Sequence, residues 1–217
     1  MEDHDPGHVE PGGAWLDRRD GPLQVRKLSV GEMDNNVYVL SCRRTGRSLL
    51  IDVADDGDRL LLALADTEPV AAVQTHGHWD HVRAWSAIVD AGIEVWGHAA
   101  DLPLFPATPA RLLEHGERLG VGDLEVEVLH LPGHTDGSLL YLVEAEERPH
   151  LFSGDTLFPG GHGRTTTPED HDRIMDGLEE QVFGRLPDHT RVYPGHGDDT
   201  TLGTERPHLA TWRARGW

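Results

Sequence analysis

The sequence predicts a layered α/β protein with sheets lying between helices. Two observations carry this. Apolar runs of strand length, rich in Val, Leu and Ile, recur from residue 23 to residue 194, and segments with helical spacing sit between them. In chain order, LQVRKLSV (23–30) and NNVYVLSC (35–42) are two strands split by a Gly-Glu-Met-Asp turn, with Asn35 and Asn36 at the turn. RSLLIDVA (47–54) is a third. GDRLLLALADT (57–67) has helical length and ends before Pro69. VAAVQT (70–75) is a short β-branched run. HVRAWSAIVDAG places Val82, Trp85, Ile88 and Val89 at helical spacing, in a helix that begins around Asp80 and closes at Gly92. IEVWGH, LEVEVLHLPGH, GSLLYLVE and HLFSGDTLF are further strands. TPEDHDRIMDGLEEQVFGRLP is the clearest helix, with Thr167 as N-cap, Pro168 first, acids in the first turn and a stop at Pro187. TRVYPGHG is the last strand.

With 217 residues, 37% of them hydrophobic, the chain has enough material for one domain with a sizeable core. That domain is expected over residues 21–217, with residues 1–20 as a flexible lead. The lead is acidic and polar, the reverse of a signal peptide. No 18-residue apolar stretch exists to span a membrane. A formal net charge of −19 repels phosphate backbones and anionic lipid surfaces, which excludes nucleic acid and membranes as partners. A small-molecule substrate is expected instead. The single cysteine, Cys42, allows no internal disulfide, which fits a cytoplasmic location.

The stretch VQTHGHWDHVRAW (73–85) crowds His76, His78, Asp80 and His81 into six residues behind an apolar run. In extended chain, residues two apart point the same way, so His76 and His78 aim two imidazoles at one point. Asp80 and His81 lie further along and are rotated away. Three later stretches repeat one grammar of strand, glycine turn and ligand: LHLPGHTDGS with His134, LFSGDTLF with Asp155, and RVYPGHGDDT with His196. Each falls at a strand end, where α/β sheets usually place their sites. His76, His78 and His134 make a three-imidazole set suited to a tetrahedral ion with one open position. Asp80, His81 and His196 make a second set, with Asp155 bridging. Two divalent ions are expected, zinc first, with iron and manganese also compatible with nitrogen and oxygen ligands.

This constellation resembles the metallo-β-lactamase superfamily, most of all its hydroxyacylglutathione hydrolase (glyoxalase II)-like branch. THGHWDH, PGHTDGS and SGDTLF carry the resemblance, and all seven ligand positions follow in order between DNNVYVL and YPGHGDD. The resemblance implies a four-layer αββα sandwich with a dinuclear site at one edge between the sheets. It also implies hydrolysis of an ester, thioester or amide by a metal-held hydroxide, with Asp80 orienting and deprotonating the water besides binding metal. A small thioester, such as one of a low-molecular-weight thiol, is the favoured substrate class.

Three departures qualify that likeness. His81 directly after Asp80 sets the chain apart from the usual β-lactamase pattern. LGTERPHLATWRARGW after His196 is too short for the helical domain with which glyoxalase II grips glutathione. Where that branch has Gly-Cys-Gly and a basic residue, this chain has GGHGRTT, with His162 in the cysteine position and Arg164 after it. Arg164 is expected to pair with a substrate carboxylate, with His162 beside it near the mouth. The alternatives are a mononuclear iron persulfide dioxygenase, which shares the fold and the Gly-Arg-Thr, a lactonase of the same fold, and a catalytically silent binding module.

The remaining candidates have plainer readings. His98 is expected as a hydrogen-bonded core histidine. His115, His130, His150, His171, His189 and His208 are expected as surface or capping residues. Trp79 either walls the pocket or packs in the core, Tyr193 packs, and Cys42 is a buried small hydrophobe.

Overall fold

The computed structural model describes residues 6–216. Two mixed sheets stack face to face. The first runs in order through β1 (Leu16–Asp20), β2 (Leu23–Val30), β3 (Asn35–Cys42), β4 (Arg47–Ile51), β5 (Glu68–Val73), β6 (Val95–Gly97) and β7 (Arg111–Leu112). Its first four strands are antiparallel neighbours, and β4 to β7 pair in parallel. The second sheet contains β8 (Arg118–Val121), β9 (Leu124–His130), β10 (Leu139–Glu144) and β11 (Pro149–Gly154), then β14 (Arg191–Pro194) and β15 (Thr200–Thr201). A ribbon of β12 (Leu157–Phe158) and β13 (Gly161–His162) lies between β11 and β14 in the chain.

Helices cover the outer faces. α1 (Gly57–Leu64) follows β4, and α2 (Trp85–Asp90) precedes β6. Asp56 caps α1 through Arg59 N–H, and Leu60, Ala63 and Leu64 form its buried stripe. Together with Trp85 and Ile88 they pack on Leu28, Val39 and Leu50 of the first sheet. α3 (Pro168–Gly177) begins as its sequence predicts, with the Thr167 hydroxyl accepting Asp170 N–H, Pro168 in the first turn, and two acids near the positive helix end. It continues as a wider turn over Leu178–Phe183. Ile174, Met175 and Leu178, with Trp212 of α5 (Leu209–Arg215), cover Leu129, Leu140 and Leu151 of the second sheet. A short α4 (Leu202–Glu205) precedes α5. Between the sheets, Leu40, Tyr38 and Ile51 meet Val128, Tyr141, Phe152 and Tyr193. The order of layers is therefore helix, sheet, sheet, helix, as expected.

Several expectations need correction. The predicted lead includes β1, whose Asp20 is buried; residues 1–5 of it lie outside the described residues. The second helix does not start near Asp80. Residues 79–81 form a tight 3₁₀ turn, and the backbone of 81–84 pairs with Val53 and Ala54 instead of propagating a helix. His150 and His171 are buried, not surface residues. His150 lies on an interior strand covered on both faces, and His171 falls on the stripe of α3 that carries Ile174, Met175 and Leu178. Among the described residues, no helix is long and apolar enough to cross a membrane.

Candidate metal centre

Strand direction gathers the cluster. In the second sheet, β9, β11 and β14 run the same way, because β10 is antiparallel to both β9 and β11 while β14 is parallel to β11. Their C-terminal ends share one edge and deliver His134, Asp155 and His196. The parallel strands β4 and β5 of the first sheet deliver Asp52 and the His76–His81 segment there. The sheet-end rule used on the sequence therefore holds for the placement of every candidate ligand.

Three groups that could hold a metal ion result, the donor atoms of each lying within 4.8 Å of one another: His76, His78 and His134; His76, His81 and Asp155; and Asp80, His81 and His196. The first and third are the two sets expected from spacing. His76 and His78 stand edge to face at 4.8 Å between ring centroids, and each meets His134 at 4.8 and 4.6 Å. Asp155 lies between the sets. Its Oδ2 is 3.6 Å from His134 Nε2 and 3.4 Å from His196 Nε2, and its Oδ1 is 3.5 Å from His81 Nε2.

Four of the five imidazoles are oriented the same way. His81 donates Nδ1–H to Asp52 Oδ2 at 2.9 Å, His134 to the carbonyl of Arg164 at 2.9 Å, and His196 to the carbonyl of Met33 at 2.8 Å. His76 Nδ1 lies 3.1 Å from the Thr75 hydroxyl, whose own hydrogen goes to Asp52 Oδ2 at 2.8 Å. In every case Nε2 is the ring nitrogen that faces the cluster. Holding one ring nitrogen with an oxygen acceptor so that the other can ligate is the usual arrangement behind metal-bound histidine.

The cluster also carries the cost that a cation would relieve. His76 Nε2, His134 Nε2 and Asp155 Oδ1 are buried without a hydrogen-bond partner. The Nε2 atoms of His81 and His196 face each other at 3.2 Å. Burial would lower the His81 pKa, but the charges of Asp155 and Asp52 raise it to about 9. Burial alone would raise the Asp155 pKa, and the surrounding imidazoles hold it well below the carboxylate range. His76 and His78 are pushed down by burial and by neighbouring histidines. The carboxylates thus call for positive charge at the centre, which a divalent ion supplies in place of protons. The donor set fits such ions.

Close backbone approach explains two glycines. A Cβ on Gly195 would stand 2.1 Å from Asp155 Oδ1, and one on Gly77 would stand 2.6 Å from Leu104 Cβ. Gly77 does not adopt a positive φ, so its role is clearance.

A family model described as the metallo-beta-lactamase superfamily matches residues 30–196, a span that holds all seven clustered residues. The chain belongs to the metallo-β-lactamase superfamily. It is 31% identical over 179 residues to hydroxyacylglutathione hydrolase GloC of Haemophilus influenzae, covering 72% of this chain and 83% of that protein. Among solved structures, it resembles the BLEG-1 B3 metallo-beta-lactamase, with a TM-score of 0.75 at 30% identity, over 87% of this chain and 99% of that one. It also resembles ETHE1 from Myxococcus xanthus, with a TM-score of 0.73 at 30% identity, over 88% and 84% of the two chains. As a superfamily member with this cluster, the chain has the fold and donor set of a metallo-hydrolase.

The other candidates divide. Arg164 has an exposed side chain, and the group it gives the cluster is its carbonyl. His162 joins none of the ligand sets. Its Nδ1–H donates to the Gly163 carbonyl and its ring packs 4.9 Å from His171. Trp79 is exposed, not core. His98 is half-buried, caps the turn at Ala100 and stacks on His130. Asn35 and Asn36 open β3 and serve the site. Asn35 Nδ2 donates to Asp80 Oδ2 at 3.0 Å, and Asn36 Nδ2 donates to the carbonyls of Pro194 and Gly197 around His196.

Asp52 and Asp101 were missed by the sequence reading. Each is a buried carboxylate beside the cluster, without a glycine turn before it to mark it. The one available signal was an acid, Asp52, interrupting the apolar stretch LLIDVA.

Proposed function

We propose that the protein is a dinuclear metal-dependent hydrolase of a small-molecule thioester. The observation that carries this is the position of Asp155, whose two oxygens face both ligand sets at 3.4–3.6 Å. A carboxylate so placed is suited to joining two ions. His76, His78, His134 and Asp155 would hold one, and Asp80, His81, His196 and Asp155 the other. When bound, such ions would lower the pKa of a coordinated water and polarise the acyl carbonyl.

The chain's own residues do the rest. Asn35 pins one oxygen of Asp80, which orients the carboxylate to take a proton from the attacking water. The water oxygen bonds to the acyl carbon, the carbon–sulfur bond breaks, and the proton passes to the departing sulfur. The products are a carboxylic acid and a free thiol. The exposed guanidinium of Arg164, whose own carbonyl backs His134, would meet a carboxylate on the thiol carrier.

The test is metal analysis of the purified protein followed by parallel assays of an acyl thioester, a lactone, a β-lactam and a persulfide. Two ions per chain and preferential thioester cleavage are expected. A single iron with oxygen uptake on persulfide would favour the dioxygenase reading, which the Gly163-Arg164-Thr165 run supports. Efficient β-lactam cleavage without thioester turnover would overturn the substrate class.

A further inference from the structure

Large apolar side chains are rarely exposed among the described residues, yet several gather around the cluster. Trp79 is 61% exposed in the turn between ligands His78 and Asp80, and Met33 is 52% exposed beside the carbonyl that holds His196. Leu104 is 44% exposed, and its Cβ closes on Gly77, between His76 and His78. Half-buried Phe158 lies with its ring 6.3 Å from that of His196.

These residues are braced. Arg83 lies 5.7 Å over the Trp79 ring and pairs with Asp55 at 3.1 Å. Asp55 in turn abuts Gly31, where the turn carrying Met33 begins. Trp79 is thereby tied to the Met33 turn. The chain carries a formal charge of −19, and against that background these exposed apolar side chains stand beside the cluster. Exposed large apolar side chains gathered at a candidate site mark a surface that a ligand covers.

We propose that Trp79, Met33, Leu104 and Phe158 form an arc that binds the acyl chain, so that the preferred substrates carry unbranched apolar acyl groups of several carbons. The inference rests on the thioesterase reading above. Charge argues for the acyl half over the thiol half. The exposed Arg164 offers charge to the carrier, which leaves the uncharged side chains of the arc to the acyl half. An acyl carbon at the ions then has its chain on the arc and its thiol toward Arg164.

The experiment is a series of straight-chain acyl thioesters of one thiol, from acetyl to hexanoyl, with the matching S-alkyl thioethers as uncleavable binding probes for calorimetry. kcat/KM is expected to rise roughly two- to fourfold per methylene while the chain remains on the arc, and thioether affinity should rise in parallel. Trp79→Ser and Leu104→Ser should each flatten both slopes while metal content stays that of the parent. Leu62→Ser, an exposed apolar residue on α1, should leave the slopes as they are. Thioesters cleaved at one rate regardless of chain length would overturn the arc, as would slopes that survive in the Trp79 and Leu104 variants. No turnover at any length would sink the thioesterase reading instead, and the thioether series would still decide the arc.

Discussion

Asp101 Oδ2 accepts the backbone N–H of Gly77 at 2.8 Å, between the first two imidazoles of the cluster. The same oxygen accepts the Thr135 hydroxyl at 2.8 Å, and Oδ1 accepts Gly137 N–H at 2.8 Å. One buried carboxylate therefore ties the loop of His76 and His78 to the loop of His134. An amide cannot replace it, because its NH₂ would face a donor on one side or the other. Asp101→Asn should weaken the first-bound ion by about 10–100-fold, the range for groups that orient metal ligands. Chelator competition on the folded variant measures this, and parental affinity would reduce Asp101 to a loop brace.

A buried ion pair supports the His196 loop. Lys27 Nζ donates to Asp199 Oδ1 at 2.8 Å and to the Gly197 carbonyl at 2.6 Å, with both side chains almost fully buried. Lys27→Met strands the Asp199 carboxylate, leaving Arg18 at 3.4 Å as a partial partner. Loss of one partner of a buried pair costs about 3–5 kcal/mol, and Arg18 places this case at the lower end. The double variant Lys27→Met/Asp199→Leu should recover much of that loss in denaturant unfolding. Equal destabilisation of single and double variants would contradict the account.

The clustering of these seven residues was legible in the sequence because they obey two local rules, spacing along a strand and a glycine turn at its end. The four-layer architecture was legible through the family motifs. What supports the ligands was not. Asp52, Asp101 and the carbonyls of Arg164 and Met33 act across the fold, at separations that no local pattern encodes. Backbone carbonyls also carry no residue signature at all. β1 was hidden for a related reason, since its alternate residues face solvent and LDRRD looks like a polar lead.

Acid should destabilise the protein in two steps through Asp20 and His150. His150 donates Nε2–H to Asp20 Oδ2 at 3.0 Å, and Nδ1 accepts the Tyr193 hydroxyl at 2.9 Å, so the neutral ring fits both partners. Burial lowers the His150 pKa more than Asp20 raises it. Burial would raise that of Asp20, but His150 and the N–H groups of Glu147 and Arg148 lower it. A lowered histidine favours folding fully above its unfolded value near 6.5 and loses that contribution as pH falls below it. A lowered carboxylate favours folding above its ordinary value of 3.8 and loses that contribution as pH drops through its folded value. The Tm difference between the parent and His150→Gln should therefore narrow between about pH 7 and 5. A constant difference over that range would remove His150 from the acid response.

The last prediction separates a dinuclear hydrolase from a mononuclear oxygenase, and it turns on Asp80. Asp80 belongs to the group with His81 and His196 and not to the three-histidine group, so it can be altered while the first set stays whole. Its Oδ2 accepts from Asn35 and lies 3.5 Å from His196 Nε2. In Asp80→Asn, an amide keeps the shape but loses the charge that attracts the second ion and the basicity that takes the proton from water. About one ion should remain bound, and thioesterase kcat should fall by roughly 10²–10⁴, the range lost with a general base. His196→Ala removes a ligand but leaves Asp80 and His81, so it should lower second-ion occupancy with a smaller loss of rate. Metal content, thioesterase rate and oxygen uptake measured on both variants give the decision. If oxygen uptake on a persulfide is intact in both while no thioester is cleaved by the parent, the second ligand set is idle and the oxygenase reading stands.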